Sequence, residues 1–311
     1  MKLSERISYS LLYGCCKGLS LIPLRGLYVM SDGVAWLMRN VVRYRRKVVR
    51  SNLRSSFPEK TDAELRSIER GFYSFLTDYF FETVKMLSTD EATIRRRLRV
   101  ENADVVNGAV RAGRSVTLLL GHYCNWEWVS SIPLWFDGNA VPAQVYHALH
   151  SKAVDALFMK IRTRFHANNI EMSDIMRRTI GWKRQGIPSI TGYIADQCPG
   201  YEMHLFTDFL NHDTGVFTGP ERIARFLDST VLFCHMSRPR RGEYVLRFVP
   251  VTENTREEPT FDITRRYFRL LEENIREAPQ YWLWSHRRWK RTRARFMEHW
   301  GDRAEKMLSH L

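Results

Sequence analysis

An α/β fold with a mixed central sheet flanked by helices is predicted by three observations. From Ser115 onwards, short apolar runs of strand length alternate with amphipathic segments of helix length. A purely helical third precedes that alternation. No internal repeat, low-complexity tract or Pro/Gly/Ser-rich linker divides the chain of 311 residues, which is long enough to bury a substantial core.

In the helical third, Thr61-Asp62-Ala63-Glu64 reads as a capping box. Leu65, Ile68, Phe72, Phe75, Leu76, Tyr79 and Leu87 continue it at helical spacing as a core stripe. Val116-Thr117-Leu118-Leu119-Leu120 is a buried strand that ends at Gly121, and a helix follows it. A strand near Ala143 to Tyr146 leads to a helix from Lys152 to Phe165, then to a strand from Ile187 to Ala195 ending at Asp196-Gln197. Gly219-Pro220 opens a helix to Leu227, with proline at the tolerated first position. Strands from Thr230 to Met236 and Tyr244 to Val251 precede a helix from Phe261 to Glu277, which stops before Pro279. In such a sheet, site residues are expected at strand ends.

Residues 7 to 38 are apolar, but Lys17, Arg25 and Asp32 interrupt them and Pro23 breaks any single helix. With no run of 18 uncharged apolar residues and no small-residue cleavage site, neither a transmembrane span nor a secretory signal is expected. Two amphipathic segments lying in a membrane interface, with Lys17 and Arg25 snorkelling, fit the pattern. Residues 1–40 are therefore read as a membrane-associated helical segment and residues 41–311 as a single domain.

The formal net charge is +14, from 48 Lys and Arg against 34 Asp and Glu, which implies anionic partners. The surplus is clustered around Arg43 to Arg54, Arg95 to Arg99 and Arg287 to Arg295. Beside many tryptophans this favours a phosphate-rich or membrane-surface partner. No nucleic-acid motif accompanies it. Cys15, Cys16, Cys124, Cys198 and Cys234 are odd in number and lack repeated CxxC spacing, which fits a reduced, cytosol-facing location. Neither Cys124 near His122 nor Cys234 beside His235 has metal-finger spacing, so no metal and no cofactor is expected.

The stretch that carries chemistry is Gly121-His122-Tyr123-Cys124-Asn125-Trp126-Glu127-Trp128. On one continuous helix, five residues turn about 500° and climb about 7.5 Å, so His122 and Glu127 would lie on different faces. With His122 on the strand-to-helix turn and Glu127 opening the helix, the two side chains can converge. A base held by a carboxylate can deprotonate a hydroxyl for acyl transfer. Cys124 lacks a distinct base partner and is not expected to be a nucleophile.

The order of motifs resembles the lysophospholipid acyltransferase superfamily, and within it the lauroyl/myristoyl acyltransferases of lipid A biosynthesis. His122-x4-Glu127 matches the histidine-x4-acid motif. Upstream, Tyr44 to Leu53 and Phe57-Pro58-Glu59 match the N-terminal signature. Downstream, Ala195-Asp196-Gln197, Phe217-Thr218-Gly219-Pro220 and Tyr281 to Lys290 fall in the family's order. The match spans about residues 5 to 295.

The resemblance implies a glycerolipid acyltransferase-like domain over residues 41–311. It implies transfer of a fatty acyl group from a thioester donor, acyl carrier protein, to a hydroxyl of an anionic phosphorylated lipid acceptor. The place would be the cytoplasmic face of the bacterial inner membrane. His122 would be the general base, and Glu127 would fix its tautomer and stabilise the imidazolium. Asn125, Tyr146, His147, Arg164, Asp196, Gln197, Gly219, Pro220, Arg287 and Arg288 would shape the substrate site. The helix N-terminus at Gly219-Pro220 would offer N–H groups to a phosphate or oxyanion. Trp282, Trp284 and Trp289 would form an interfacial rim. One departure matters: where the family commonly has Tyr-Arg-Pro, this chain reads Tyr146-His147-Ala148. Imidazole offers no bidentate fork, so Arg162, Arg164, Arg177 or Arg178 would have to supply the charge. A lysophospholipid or aminolipid acceptor, or a catalytically silent membrane-binding relative, are the competing readings.

Overall fold

The computed structural model describes residues 2–308. Chain order runs α1 (Leu3–Leu21), α2 (Leu24–Asn40), α3 (Arg46–Ser56), α4 (Asp62–Lys85), α5 (Glu91–Arg97), β1 (Leu98–Val100), α6 (Ala103–Arg111) and β2 (Val116–Leu120). After a 3-10 segment at Trp128–Trp135 come β3 (Val141–Tyr146), α7 (Lys152–Arg162), β4 (Asn168–Glu171), α8 (Ile175–Arg184) and β5 (Ser189–Ile194). The rest is β6 (Leu205–Phe209), β7 (His212–Val216), α9 (Gly219–Leu227), β8 (Thr230–Arg240), β9 (Glu243–Thr252), α10 (Asp262–Glu277), α11 (Arg293–Trp300) and α12 (Ala304–Leu308).

The sheet is mixed, as the alternation of elements predicts: among the described residues it has seven strands in the order β1-β9-β8-β2-β5-β3-β4. Only the β8–β9 pairing is antiparallel. β2 lies in the middle, parallel to β5 and β8, and all five of its residues are buried. A strand covered on both faces reads as a continuous apolar run, which is why it is plain in the sequence. The helix expected after Gly121 is instead a turn, with Cys124 at φ 51°, followed by the 3-10 segment. β6 and β7 form a separate hairpin whose turn residues Leu210 and Asn211 both have positive φ.

The capping box at the start of α4 is present: Thr61 Oγ1 accepts from Glu64 N, and the Glu64 carboxylate accepts from Thr61 N. α4 then anchors the N-terminal helices. α1 and α2 are bent by 117° at the break containing Pro23, and no single helix among the described residues is long and apolar enough to cross a membrane. Lys17 does not snorkel; its Nζ donates to Leu87 O at 2.8 Å, just past the end of α4. Lys85 answers by donating to Ser20 O and Ile22 O. A string of apolar side chains nevertheless stays exposed, including Ile7, Leu11, Val29, Val34 and Trp36.

A buried ionic network ties α2, α4 and the β8–β9 hairpin together. Asp78 accepts from Ser31 Oγ, from Arg238 Nη2 at 2.7 Å and from two nitrogens of Arg241. Glu82 accepts from the hydroxyls of Tyr28 and Tyr244 and from Asn125 Nδ2. Burial raises the Glu82 carboxyl above the usual range, and Arg238 together with these donors opposes that rise. The loop that follows β2 is thus bolted to α4. Removing one member of such a network leaves a buried charge without its partner, at a cost of about 3–5 kcal/mol. Asp78→Ala is expected to lower the unfolding free energy by about that amount in urea titration. A loss below about 1 kcal/mol would show that Arg238 and Arg241 find water instead.

Candidate active site

Two parallel strand ends set the geometry. Leu120 of β2 pairs with Ile194 of β5, so His122 and Asp196, each two residues further on, emerge side by side. Gly121 is required between them. A Cβ there would lie 2.4 Å from Leu271 Cδ1 of α10 and 3.3 Å from Asp196 Oδ2. Asp196 Oδ2 accepts from His122 N at 2.8 Å and from Trp282 Nε1 at 2.8 Å, while Oδ1 lies 2.6 Å from His122 Nδ1. Burial would raise the Asp196 carboxyl, but the adjacent imidazole and these donors hold it below the usual carboxylate range. An ionised carboxylate only accepts, so Nδ1 carries the proton and Nε2 keeps its lone pair. Gln197 Nε2, 3.1 Å away, donates to that lone pair.

Glu127 does not reach His122 as the motif led us to expect. Its carboxylate takes a bidentate pair from Arg162 of α7, Nε to Oε2 at 2.7 Å and Nη2 to Oε1 at 2.6 Å, with Tyr79 OH 3.4 Å from Oε1. The short turn after His122 points the two side chains apart, and Trp126 stands between: it stacks on Tyr79 at 4.0 Å and meets the His122 ring edge-on at 5.1 Å. Burial disfavours the Arg162 charge, but Glu127 more than restores it. Among the described residues, Arg162 Nη1 has no hydrogen-bond partner.

A cavity of about 790 Å³ opens at this site. His122, Glu127, Tyr146, His147, Gln197, Gly219 and Pro220 all line it, as does Arg162. Much of its lining is apolar, including Leu118, Leu120, Ile132, Phe136, Ile190 and Ile223. Gly219 starts α9, and because Pro220 has no N–H, the free donors at that helix N-terminus are those of Gly219 and Glu221.

Five expected substrate contacts do not line the cavity; the first is Asp196, which is buried and holds His122 instead. Asn125 is fully buried, its amide nitrogen spent on Glu82 and its oxygen on Trp128 N. Arg164 is drawn to the backbone after α4, donating to Leu87 O and to Thr89 O. Arg288 is 1% exposed and donates to Gly215 O, and burial pushes its guanidinium down to about 10. Arg287 is exposed and lines no part of the cavity. Trp282 and Trp284 are core residues rather than a rim. Cys124 is fully buried and burial pushes its thiol well up, which agrees with its exclusion as a nucleophile.

Trp282, expected as part of an interfacial rim, is instead the donor that fixes Asp196. One cavity position was not singled out in the sequence. Arg222 is exposed at the cavity wall in the first turn of α9, where acids are the favoured residues.

A mixed α/β fold thus sets a histidine–carboxylate pair at a largely apolar cavity. The family model described as bacterial lipid A biosynthesis acyltransferase matches residues 2–291, and the chain belongs to that family. The family implies an acyltransferase. Comparison with curated proteins gives no match.

The depressed Asp196 carboxyl has a pH signature. The stability it contributes is fully present above the ordinary aspartate value of about 3.9 and is lost as pH falls through its lower folded value. The stability gap between wild type and Asp196→Asn should persist from neutral pH down to about 4 and shrink below it, read by urea unfolding across pH. A gap that first widens below that value would contradict the assignment.

Proposed function

We propose that the protein transfers a fatty acyl group from an acyl thioester, carried by acyl carrier protein, to a hydroxyl of a phosphorylated lipid A precursor. The observation that carries this is His122, with Nδ1 held by Asp196 and Nε2 turned to Gln197 at the head of the apolar cavity. The acceptor hydroxyl replaces the Gln197 amide on Nε2 and gives up its proton there. Its oxygen attacks the thioester carbon, and the Asp196 carboxylate stabilises the imidazolium. The tetrahedral intermediate collapses, the carbon–sulfur bond breaks, and the leaving thiolate takes the proton back from Nε2. No acyl-enzyme is needed, because the thioester is already activated.

The other cavity residues divide by chemistry. The apolar wall takes the acyl chain, and its volume falls within the range typical of small-molecule sites. Arg162, fixed by Glu127, offers Nη1 to an anionic oxygen and so replaces the arginine that His147 cannot be. Gln197 and the α9 N-terminus supply neutral donors to the developing oxyanion. The acidic carrier meets exposed arginines, Arg222 at the cavity wall and Arg178 and Arg184 on α8. The exposed apolar residues of α1 and α2 seat the chain on the cytoplasmic face of the inner membrane.

Thioester consumption with acyl carrier protein and a lipid A precursor, and a lysophospholipid as control acceptor, tests this. His122→Ala should lose about a hundred- to ten-thousandfold in turnover, and Asp196→Asn should fall in the same range. Glu127→Gln should act mainly by raising the acceptor KM, because it loosens Arg162 rather than the base. Turnover with the lysophospholipid alone would move the acceptor class, and full activity of His122→Ala would overturn the base assignment.

A further inference from the structure

The turn from α2 into α3 runs against local preference. Arg43 and Arg45 both hold left-handed backbone, at φ 53° and 49°. α3 then opens with Arg46 and Lys47, with no side-chain cap and no acidic residue in its first turn. The positive end of a helix dipole favours carboxylates there, not cations. Among the described residues, the N–H groups of Lys47 and Val48 make no hydrogen bond.

Arg39 of α2 lies within electrostatic range of Glu69, Arg46 and Arg50 and of Arg70 on α4. Two of these guanidinium groups, Arg46 and Arg50, pair with the single carboxylate of Glu69, which is 2% exposed. Glu69 accepts from Arg46 Nε at 2.6 Å and from Arg50 Nε at 2.9 Å. Because both engage through Nε, none of their terminal Nη nitrogens has a partner among the described residues. Arg39 Nε is buried and also unpartnered. Burial and the neighbouring arginines lower the Arg39 guanidinium, with Glu69 alone opposing them. Gathering like charges is costly, and breaking local rules at one place marks a site whose compensation comes from outside the chain.

We propose that the junction of α2, α3 and α4 is a binding site for the phosphate of an anionic lipid headgroup, held by Arg39, Arg46, Arg50 and Arg70 and the free N–H groups at the start of α3. A lipid is indicated rather than a free anion because Trp36, Leu37, Val41, Val42 and Tyr44, next to the cluster in sequence, expose apolar surface. The site is separate from the reaction cavity, which none of its residues lines. On the same helix, Asn52 is turned to the loop after α10, donating to Trp284 O and His286 O.

The test is vesicle co-sedimentation of the full chain, on phosphatidylcholine alone and on phosphatidylcholine doped with phosphatidylglycerol. Arg39→Gln/Arg70→Gln removes two charges that make no hydrogen bond to protein among the described residues. It should weaken binding to doped vesicles about thirtyfold and leave binding to phosphatidylcholine unchanged. An equal-charge control, Arg178→Gln/Arg184→Gln on α8, should change it far less. Equal loss in the control would reduce the effect to diffuse charge and overturn the site, as would no loss in the first pair. Should the double variant unfold, exposed Arg70→Gln alone must cost about fivefold. Inorganic phosphate provides the remaining arm: if it raises wild-type Tm while phosphatidylglycerol adds no affinity, the occupant is a free anion and the lipid assignment fails.

Discussion

The carboxylate of Asp196, buried under Trp282 and beside the end of β2, organises the head of the cavity. It receives three donors: the His122 amide, the His122 ring and the Trp282 indole. Those bonds fix where the imidazole sits, which way its ring faces and which nitrogen keeps the lone pair. They exist because β2 and β5 are parallel and in register, so that equivalent positions beyond Leu120 and Ile194 meet. The close approach also depends on Gly121, where Leu271 of α10 occupies the space a side chain would need. The sheet register is therefore the upstream cause of the site chemistry.

A second carboxylate works beside it in a different way. Glu127 sits at the cavity wall, yet its oxygens are committed to Arg162 and Tyr79. The histidine-x4-acid spacing thus brings an acid to the site without placing it on the histidine. What it delivers is a fixed guanidinium with one free nitrogen. That arrangement accounts for a cavity that keeps a cation although its expected arginine position is His147. The loop holding both residues is in turn secured by Asn125 on Glu82, so the N-terminal helices and the site share one buried network.

The strands that form the centre of the sheet were legible because burial on both faces leaves unbroken apolar runs. β1, β4 and the β6–β7 hairpin were not, since they are short, edge-placed or polar, as Asn168–Glu171 illustrates. His122 and Gln197 could be located from strand ends alone, and both line the cavity. The partner of His122 could not be read, because Asp196 lies 74 residues away and reaches it only through strand pairing. Arg288 and Asn125 misled for a related reason. A polar side chain looks alike in sequence whether it meets a substrate or satisfies buried backbone and carboxylate groups.

The measurement that bears most directly on this account is the protonation pattern of the His122 ring. Nitrogen NMR of histidine-labelled protein, assigned by comparison with His122→Ala, reports the two ring nitrogens separately. The neutral ring is expected to carry its proton on Nδ1 and a free lone pair on Nε2, a preference lost in Asp196→Asn and retained in Glu127→Gln. A neutral ring protonated on Nε2, or a preference that Glu127→Gln abolishes while Asp196→Asn does not, would contradict it.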